Sequence, residues 1–215
     1  MRFRSPFLLF LLPMLMAGQS NAPIVQPGAP GSSGKTLTSV APVAREPFKP
    51  DVEFMQGMIM HHAQAVEMTA LMAARTKNKA LLAFGKRITI SQSDEIKMMK
   101  QWLEERGQST EMKMDHNKMD HSKMVNGKMP PMLMPGMLSP EQMKALAAAS
   151  GAKFDHLFLT GMIQHHGGAL TMVDDLLRVP GAGQDSLLYD FATDVDNTQT
   201  AEIAIMQGML VKEKK

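Results

Sequence analysis

Two histidine pairs and an excess of methionine carry the chemistry of this chain. His61-His62 and His165-His166 each follow a Gly-Met-Ile-x step, at Gly57-Met58-Ile59 and Gly161-Met162-Ile163. The chain holds 23 Met and no Cys. That Met content is several times the usual share. Without Cys there are no disulfides, thiolate sites, iron–sulfur clusters or cysteine nucleophiles. The remaining soft donors are thioether and imidazole, a set that suits Cu(I) and Ag(I) and suits Mg or Ca poorly. Thioether sulfur also keeps its lone pair in acid, where thiolates and imidazoles take up protons.

The Met excess is concentrated in one place. Residues 111–137 contain eight Met, and a five-residue unit repeats there. It reads Met114-Asp-His116-Asn-Lys, then Met119-Asp-His121-Ser-Lys, then Met124. Branched aliphatics are too few for a core, so Met112, Met114, His116, Met119, His121 and Met124 are candidate ligands for a soft metal. A low-complexity linker with chance enrichment is the plainer alternative.

The elements that must position the paired histidines come from an internal duplication. With a spacing of 104 residues, Asp51, Phe54, Gly57, Met58, Ile59, His61, His62, Ala65 and Met68 coincide with Asp155, Phe158, Gly161, Met162, Ile163, His165, His166, Ala169 and Met172. With a spacing of 107, Phe84, Gln92, Glu95, Ile96, Met99 and Leu103 coincide with Phe191, Gln199, Glu202, Ile203, Met206 and Leu210. At 100° per residue the shared polar and sulfur groups of each first segment, with Phe54 and Ala65 and their mates, fall on one stripe about 120° wide. Gln92, Glu95 and Met99 fall on a similar stripe. Each half therefore predicts two helices that turn Met, His, Gln and Glu inward. Burying such groups is costly unless they have partners. A metal ion is the partner that fits, with Glu95 and Glu202 among the candidate ligands. Plain Met core filling is the alternative for any single sulfur.

Four helices in two hairpins predict an all-α chain, an antiparallel four-helix bundle with a long Met-rich connection over residues 107–138. Ser139-Pro140-Glu141-Gln142 reads as a helix start and Gly151 as the end of that short helix. Pro180-Gly181-Ala182-Gly183 separates the last two helices. Trp102 reads as core; Asp174, Asp175, Glu104 and Glu105 read as solvated faces.

Outside the repeat, Arg2 and Arg4 precede the apolar run Phe7–Ala17, and small residues follow to Ala22. This is the pattern of a signal peptide over residues 1–22, with an uncleaved anchor as the alternative. The mature protein is expected in the periplasm, without stable membrane insertion. Residues 23–50, rich in Pro, Gly and Ser, read as a flexible tether. The duplicated domain spans 51–213. With 23 Lys+Arg against 21 Asp+Glu and 5% aromatic residues, nothing points to nucleic acid.

The duplicated pattern Asp51…Phe54…Met58-Ile-x-His61-His62-x-x-Ala65-x-x-Met68 and Gln92-x-x-Glu95-Ile96-x-x-Met99 resembles the family catalogued as domain of unknown function 305. CopM-like periplasmic copper-binding proteins belong to that family. The resemblance covers about residues 50 to 212. It implies a ferritin-like bundle, copper and silver binding through Met and His, and a role in copper tolerance. By position it falls on Met58, His61, His62, Met68, Met99, Met162, His165, His166, Met172 and Met206.

The sequence thus points to a non-enzymatic protein that sequesters or carries Cu(I), with Ag(I) as a second ion of the same class. A copper exporter or another periplasmic copper protein is the partner such a carrier would serve. Two other classes stay open. One is a ferritin-like metal-dependent oxidase, for which carboxylates are few and no Glu-x-x-His lies on the buried stripe. The other is a Met-rich interaction module, which leaves the duplicated His pairs unexplained.

Overall fold

In a computed structural model, residues 24–26, 33, 35–37, 46–112 and 133–213 are described. The candidate ligands Met114, His116, Met119, His121 and Met124, and the apolar run Phe7–Ala17, lie outside the described residues.

The chain falls into two compact units, residues 1–45 and 46–215. In the first, β1 (Ile24–Gln26) pairs antiparallel with β2 (Lys35–Leu37), Val25 opposite Thr36. The Pro/Gly/Ser-rich stretch that reads as a tether thus contains a short strand pair. It has no side-chain alternation to signal it.

The second unit is helical, as the periodicity predicts. Its elements are α1 (Lys49–Ala70), α2 (Met72–Arg75), α3 (Lys79–Glu105), α4 (Pro140–Ala148), α5 (Gly151–Arg178) and α6 (Ser186–Glu213). α1 packs on α3, α5 packs on α6, and α1 meets α5 across the middle. The two His-pair helices are therefore neighbours in one core.

Local chemistry sets the helix ends. Pro50 sits in the first turn of α1, where its missing N–H leaves no bond unmade. The Asn78 side chain accepts from Leu81 N at 3.2 Å and starts α3. At its far end, Gly107 takes φ +66°, Gly107 N donates to the Glu104 carbonyl at 3.0 Å and Gln108 N to the Leu103 carbonyl at 2.8 Å. This pair of bonds closes the last carbonyls and needs a residue that tolerates positive φ. Ser139 and Gln142 form a reciprocal capping box at α4, as their spacing predicts. Gly151 does not end that helix. α4 stops at Ala148, Ala149 and Ser150 are extended, and Gly151 opens α5. The 180–183 segment does break α5 from α6, and Asp185 there accepts from Leu188 N at 3.1 Å.

Two side-chain networks tie hairpin ends to the other half. The Asp51 carboxylate accepts from Gly183 N at 2.8 Å. Asp185 accepts from Trp102 Nε1 at 3.0 Å and from Arg106 at 2.6 Å, while the Arg106 guanidinium lies 4.2 Å over the Trp102 ring. Trp102 is core, but its N–H also has a purpose. Among the described residues no helix is long and apolar enough to cross a membrane.

Candidate metal centre

The four imidazoles of the two pairs have no solvent exposure. α1 and α5 bring His61 and His165 face to face, ring centroids 3.8 Å apart and planes 38° from parallel. His62 and His166 lie outward of them, at 6.3 Å and 6.2 Å from their sequence neighbours. The arrangement repeats the sequence duplication as an approximate twofold.

Each Nε2 has a fixed partner. His62 Nε2 donates to Glu95 Oε2 at 2.6 Å, and His166 Nε2 donates to Glu202 Oε2 at 2.7 Å. His165 Nε2 donates to the His61 main-chain carbonyl at 2.9 Å, and His61 Nε2 to the Pro135 carbonyl at 3.0 Å. A carbonyl or a carboxylate can only accept, so the hydrogen-bond network assigns the proton to Nε2 in all four rings. In the neutral ring Nδ1 then carries a bare lone pair. All four Nδ1 atoms are buried and have no hydrogen-bond partner. An unsatisfied buried polar atom typically costs about 1–3 kcal/mol, so four such nitrogens stand ready to accept a ligand.

Electrostatics hold the inner pair neutral. The His61 imidazole is pushed down to about 3, first by burial and then by the adjacent His62 ring, while the Pro135 carbonyl acts in the opposite direction. His165 is held well below its ordinary value by burial and by the neighbouring imidazoles, His61 first. For Glu95, burial pushes upward, yet the interaction with His62 and the hydrogen bond from the Ser91 hydroxyl leave the carboxyl below the usual range. Both its oxygens are engaged, Oε2 by His62 and Oε1 by Ser91 Oγ at 2.7 Å. Glu95 and Glu202, candidate ligands by sequence, thus stand behind His62 and His166 as hydrogen-bond acceptors.

The methionines divide into two sets that cross the halves. Met58 and Met99 share a core cluster with Met172 of the second half. Met162 and Met206 share the other with Met68 of the first half. The crossing is the same on both sides. A Cβ built on Gly57 would lie 3.4 Å from Met172 Cε, and one on Gly161 would lie 3.4 Å from Met68 Cε. Met58, Met68, Met99, Met162 and Met206 are fully buried and Met172 is nearly so. His62 meets Phe191 of the first cluster edge-on, with ring centroids at 6.3 Å. Met112 is half-buried and lines a cleft of about 760 Å³ with Met134, Gln56 and Val52.

One feature of the site has no counterpart in the repeat. The segment Leu133–Leu138 lies across α1 and α5 as a strap, and its Pro135 carbonyl fixes His61. Gln64 grips Leu138 twice, Nε2 to the carbonyl at 3.0 Å and Oε1 from the amide at 2.7 Å. Gln164 Nε2 reaches the carbonyls of Gly136 and Met137 at 3.2 and 3.3 Å. The strap runs so close to α5 that a Cβ on Gly168 would sit 1.9 Å from the Pro135 oxygen. Sequence reading missed Gln64, Gln164, Pro135 and Gly168. Their signal was present: Gln64 and Gly168 are equivalent positions of the duplication, and there the two halves differ.

Among the described residues, no group of three or more His, Asp or Glu side chains could hold a metal ion.

The fold has relatives among solved structures. A DUF305 protein from Streptomyces coelicolor superposes with a TM-score of 0.64 at 25% identity, over 77% of this chain and 94% of that one. A DUF305 fragment from Deinococcus radiodurans gives 0.63 at 26%, over 78% and 99%. CopM in its Cu(I)-bound form gives 0.55 at 24%, over 75% and 96%, a likeness of fold. Among curated proteins none matches. The domain of unknown function DUF305 matches residues 51–210, nearly the whole helical unit, and the chain therefore belongs to the DUF305 family.

Proposed function

We propose that this protein binds monovalent coinage-metal ions, Cu(I) first and Ag(I) as its analogue, and that it sequesters or carries them outside the cytoplasm. The observation that carries the reading is the set of four buried, unpartnered Nδ1 lone pairs whose Nε2 protons are all fixed by acceptors. A metal-binding imidazole characteristically donates its other N–H to a carboxylate or carbonyl, which sets the tautomer and strengthens the donor. In the ferritin-like, antiparallel four-helix frame of this reading, the two buried thioether sets would complete the imidazole donors. Met58, Met99 and Met172 would serve with His62, and Met162, Met206 and Met68 with His166. His61 and His165 lie ring against ring, centroids 3.8 Å apart. Neutral sulfur and nitrogen donors without a carboxylate cluster favour a soft, singly charged ion.

CopM, related in fold, has been crystallised in Cu(I)-, Ag- and Cu(II)-bound forms. The relative from Streptomyces coelicolor is named as a candidate secreted protein. Both agree with a carrier exported through the N-terminal segment and serving a copper exporter or another extracytoplasmic copper protein. Binding rather than catalysis fits the enclosure of the imidazoles, since a dinuclear oxidase needs several carboxylates on facing helices.

The test is a titration of the reduced, metal-free protein with Cu(I) against a competing chelator. Retained Cu(I) that is lost when His62 and His166 are replaced together by Gln supports the reading. Wild-type protein that leaves all Cu(I) on the chelator overturns it.

A further inference from the structure

Three thioether ends converge on the bare face of Gly57. From the position a Cβ would occupy there, Met172 Cε is 3.4 Å away, Met112 Cε 3.5 Å and Met134 Sδ 3.5 Å. The other two sulfurs are one bond beyond their methyls. Met112 and Met134 come from the two ends of the Met-rich connection, and both line the open cleft of about 760 Å³. Met172 belongs to the buried cluster with Met58 and Met99. The three therefore join solvent on one side to the buried sulfur set on the other.

The equivalent place in the second half is built differently. At Gly161 the Met68 methyl keeps its 3.4 Å approach, but the remaining space is filled by Leu138, whose methyls lie 3.0 and 3.6 Å from the Cβ position. Leu138 is buried and held by Gln64. If methionines here were only fillers, either half could carry leucine. The half that opens on the cleft carries sulfur at this place, and the other half carries hydrocarbon.

We infer that Met112, Met134 and Met172 form a three-thioether exchange site for Cu(I) at Gly57, through which the ion passes between the cleft and the buried set. The site rests on the copper-binding reading and gives it a direction: ions arrive and leave by the first half, not the second. Three neutral sulfurs suit a soft monovalent ion and leave it exchangeable, since no charged ligand holds it. Glycine at position 57 leaves room for the three ends to close on an ion.

The experiment uses the full chain labelled with ¹³C at the methionine methyls, titrated with Ag(I) as a diamagnetic probe and followed by NMR. Single Leu substitutions assign the signals. The Met112, Met134 and Met172 methyls should shift together along one binding curve. In Met112→Leu the Met134 shift at that step should be lost, while Met162 and Met206 still respond at higher Ag(I). Methyls of the three residues that move on separate curves, or a Met134 shift that survives Met112→Leu, overturn the site while leaving copper binding in place. Absence of any shift in the wild-type protein overturns the copper-binding reading itself. The co-titration itself is read in the wild-type chain, so it needs no variant to bind metal.

Discussion

His165 donates its Nε2 proton to the main-chain carbonyl of His61 at 2.9 Å, so an imidazole of one half is locked by the backbone of the other. The reciprocal bond is not made. His61 turns its proton to Pro135 of the strap at 3.0 Å. The duplication thus builds two similar histidine pairs and then distinguishes them by what fixes the inner ring. Four consequences can be measured.

On the proposed copper-binding reading, Glu95 would act on the metal through His62. Its carboxylate fixes the Nε2 proton and thereby aims Nδ1. Glu95→Ala should weaken Cu(I) binding about 10- to 100-fold, the range found for lost partners behind metal ligands. Far-UV circular dichroism should stay that of a helical protein. Glu202→Ala should behave alike. Unchanged Cu(I) affinity in both variants would count against the orienting role.

Acid should destabilise the metal-free protein over a defined window. The folded chain holds His61 down to about 3, whereas an unfolded histidine titrates near 6.5. Between these values the unfolded state binds the proton that the folded state refuses. Stability therefore falls as pH falls from about 6.5, by up to about 1.4 kcal/mol per pH unit for each such imidazole. His165, shifted the same way, adds to the slope. Urea unfolding at pH 8, 7, 6, 5 and 4 should show a plateau and then a decline. Replacing His61 and His165 by Gln should flatten it. A wild-type protein that gains stability on acidification contradicts the assigned neutral imidazoles.

Adjacent glycines should respond in opposite ways. A Cβ on Gly167 meets nothing within 4 Å, whereas one on Gly168 would sit 1.9 Å from the Pro135 oxygen. Gly167→Ala should leave stability unchanged or raise it by up to about 1 kcal/mol, from helix propensity alone. Gly168→Ala must push the strap off α5, with a loss of at least about 2 kcal/mol as for an overpacked core. Thermal unfolding of the two variants gives the comparison directly. Equal effects would mean that the strap is not seated as described.

The Asp185 network should be a principal brace between α3 and the start of α6. It accepts from Trp102, Arg106 and Leu188 N. Asp185→Ala removes a helix cap and leaves the buried Trp102 N–H unpaired. A loss of about 2–4 kcal/mol is expected by denaturant unfolding. Asp185→Asn keeps the cap and an acceptor and should lose less.

The helical class and the burial of both His pairs were legible because they rest on period and repetition, which a sequence displays directly. Met58, Met68, Met99 and their mates could be placed on an inward face for the same reason. What escaped was set by contacts between distant segments of unlike pattern. Pro135 lies in a stretch with no period, yet its carbonyl decides the tautomer of His61. Glu95 read as a ligand because residue type does not reveal that both its oxygens are engaged. The crossing of Met172 into the cluster of Met58 depends on how α1 and α5 pack, which spacing within one helix does not specify. The departures of the two halves from each other, Gln64 against Gly168 and Met60 against Gln164, were the available clue to the strap. A repeat that breaks its own pattern at a buried site marks a place where something else is packed.

The central claim is that four imidazoles present bare Nδ1 atoms to a soft ion. Nitrogen NMR of ¹⁵N-histidine protein reads it most directly. In the metal-free state at neutral pH, His61, His62, His165 and His166 should all show the Nε2–H tautomer, with unprotonated Nδ1. Addition of Ag(I) or Cu(I) should then shift Nδ1 and leave the Nε2 protons in place. Protonated Nδ1 atoms in the free protein, or Nδ1 signals that ignore saturating metal, contradict it.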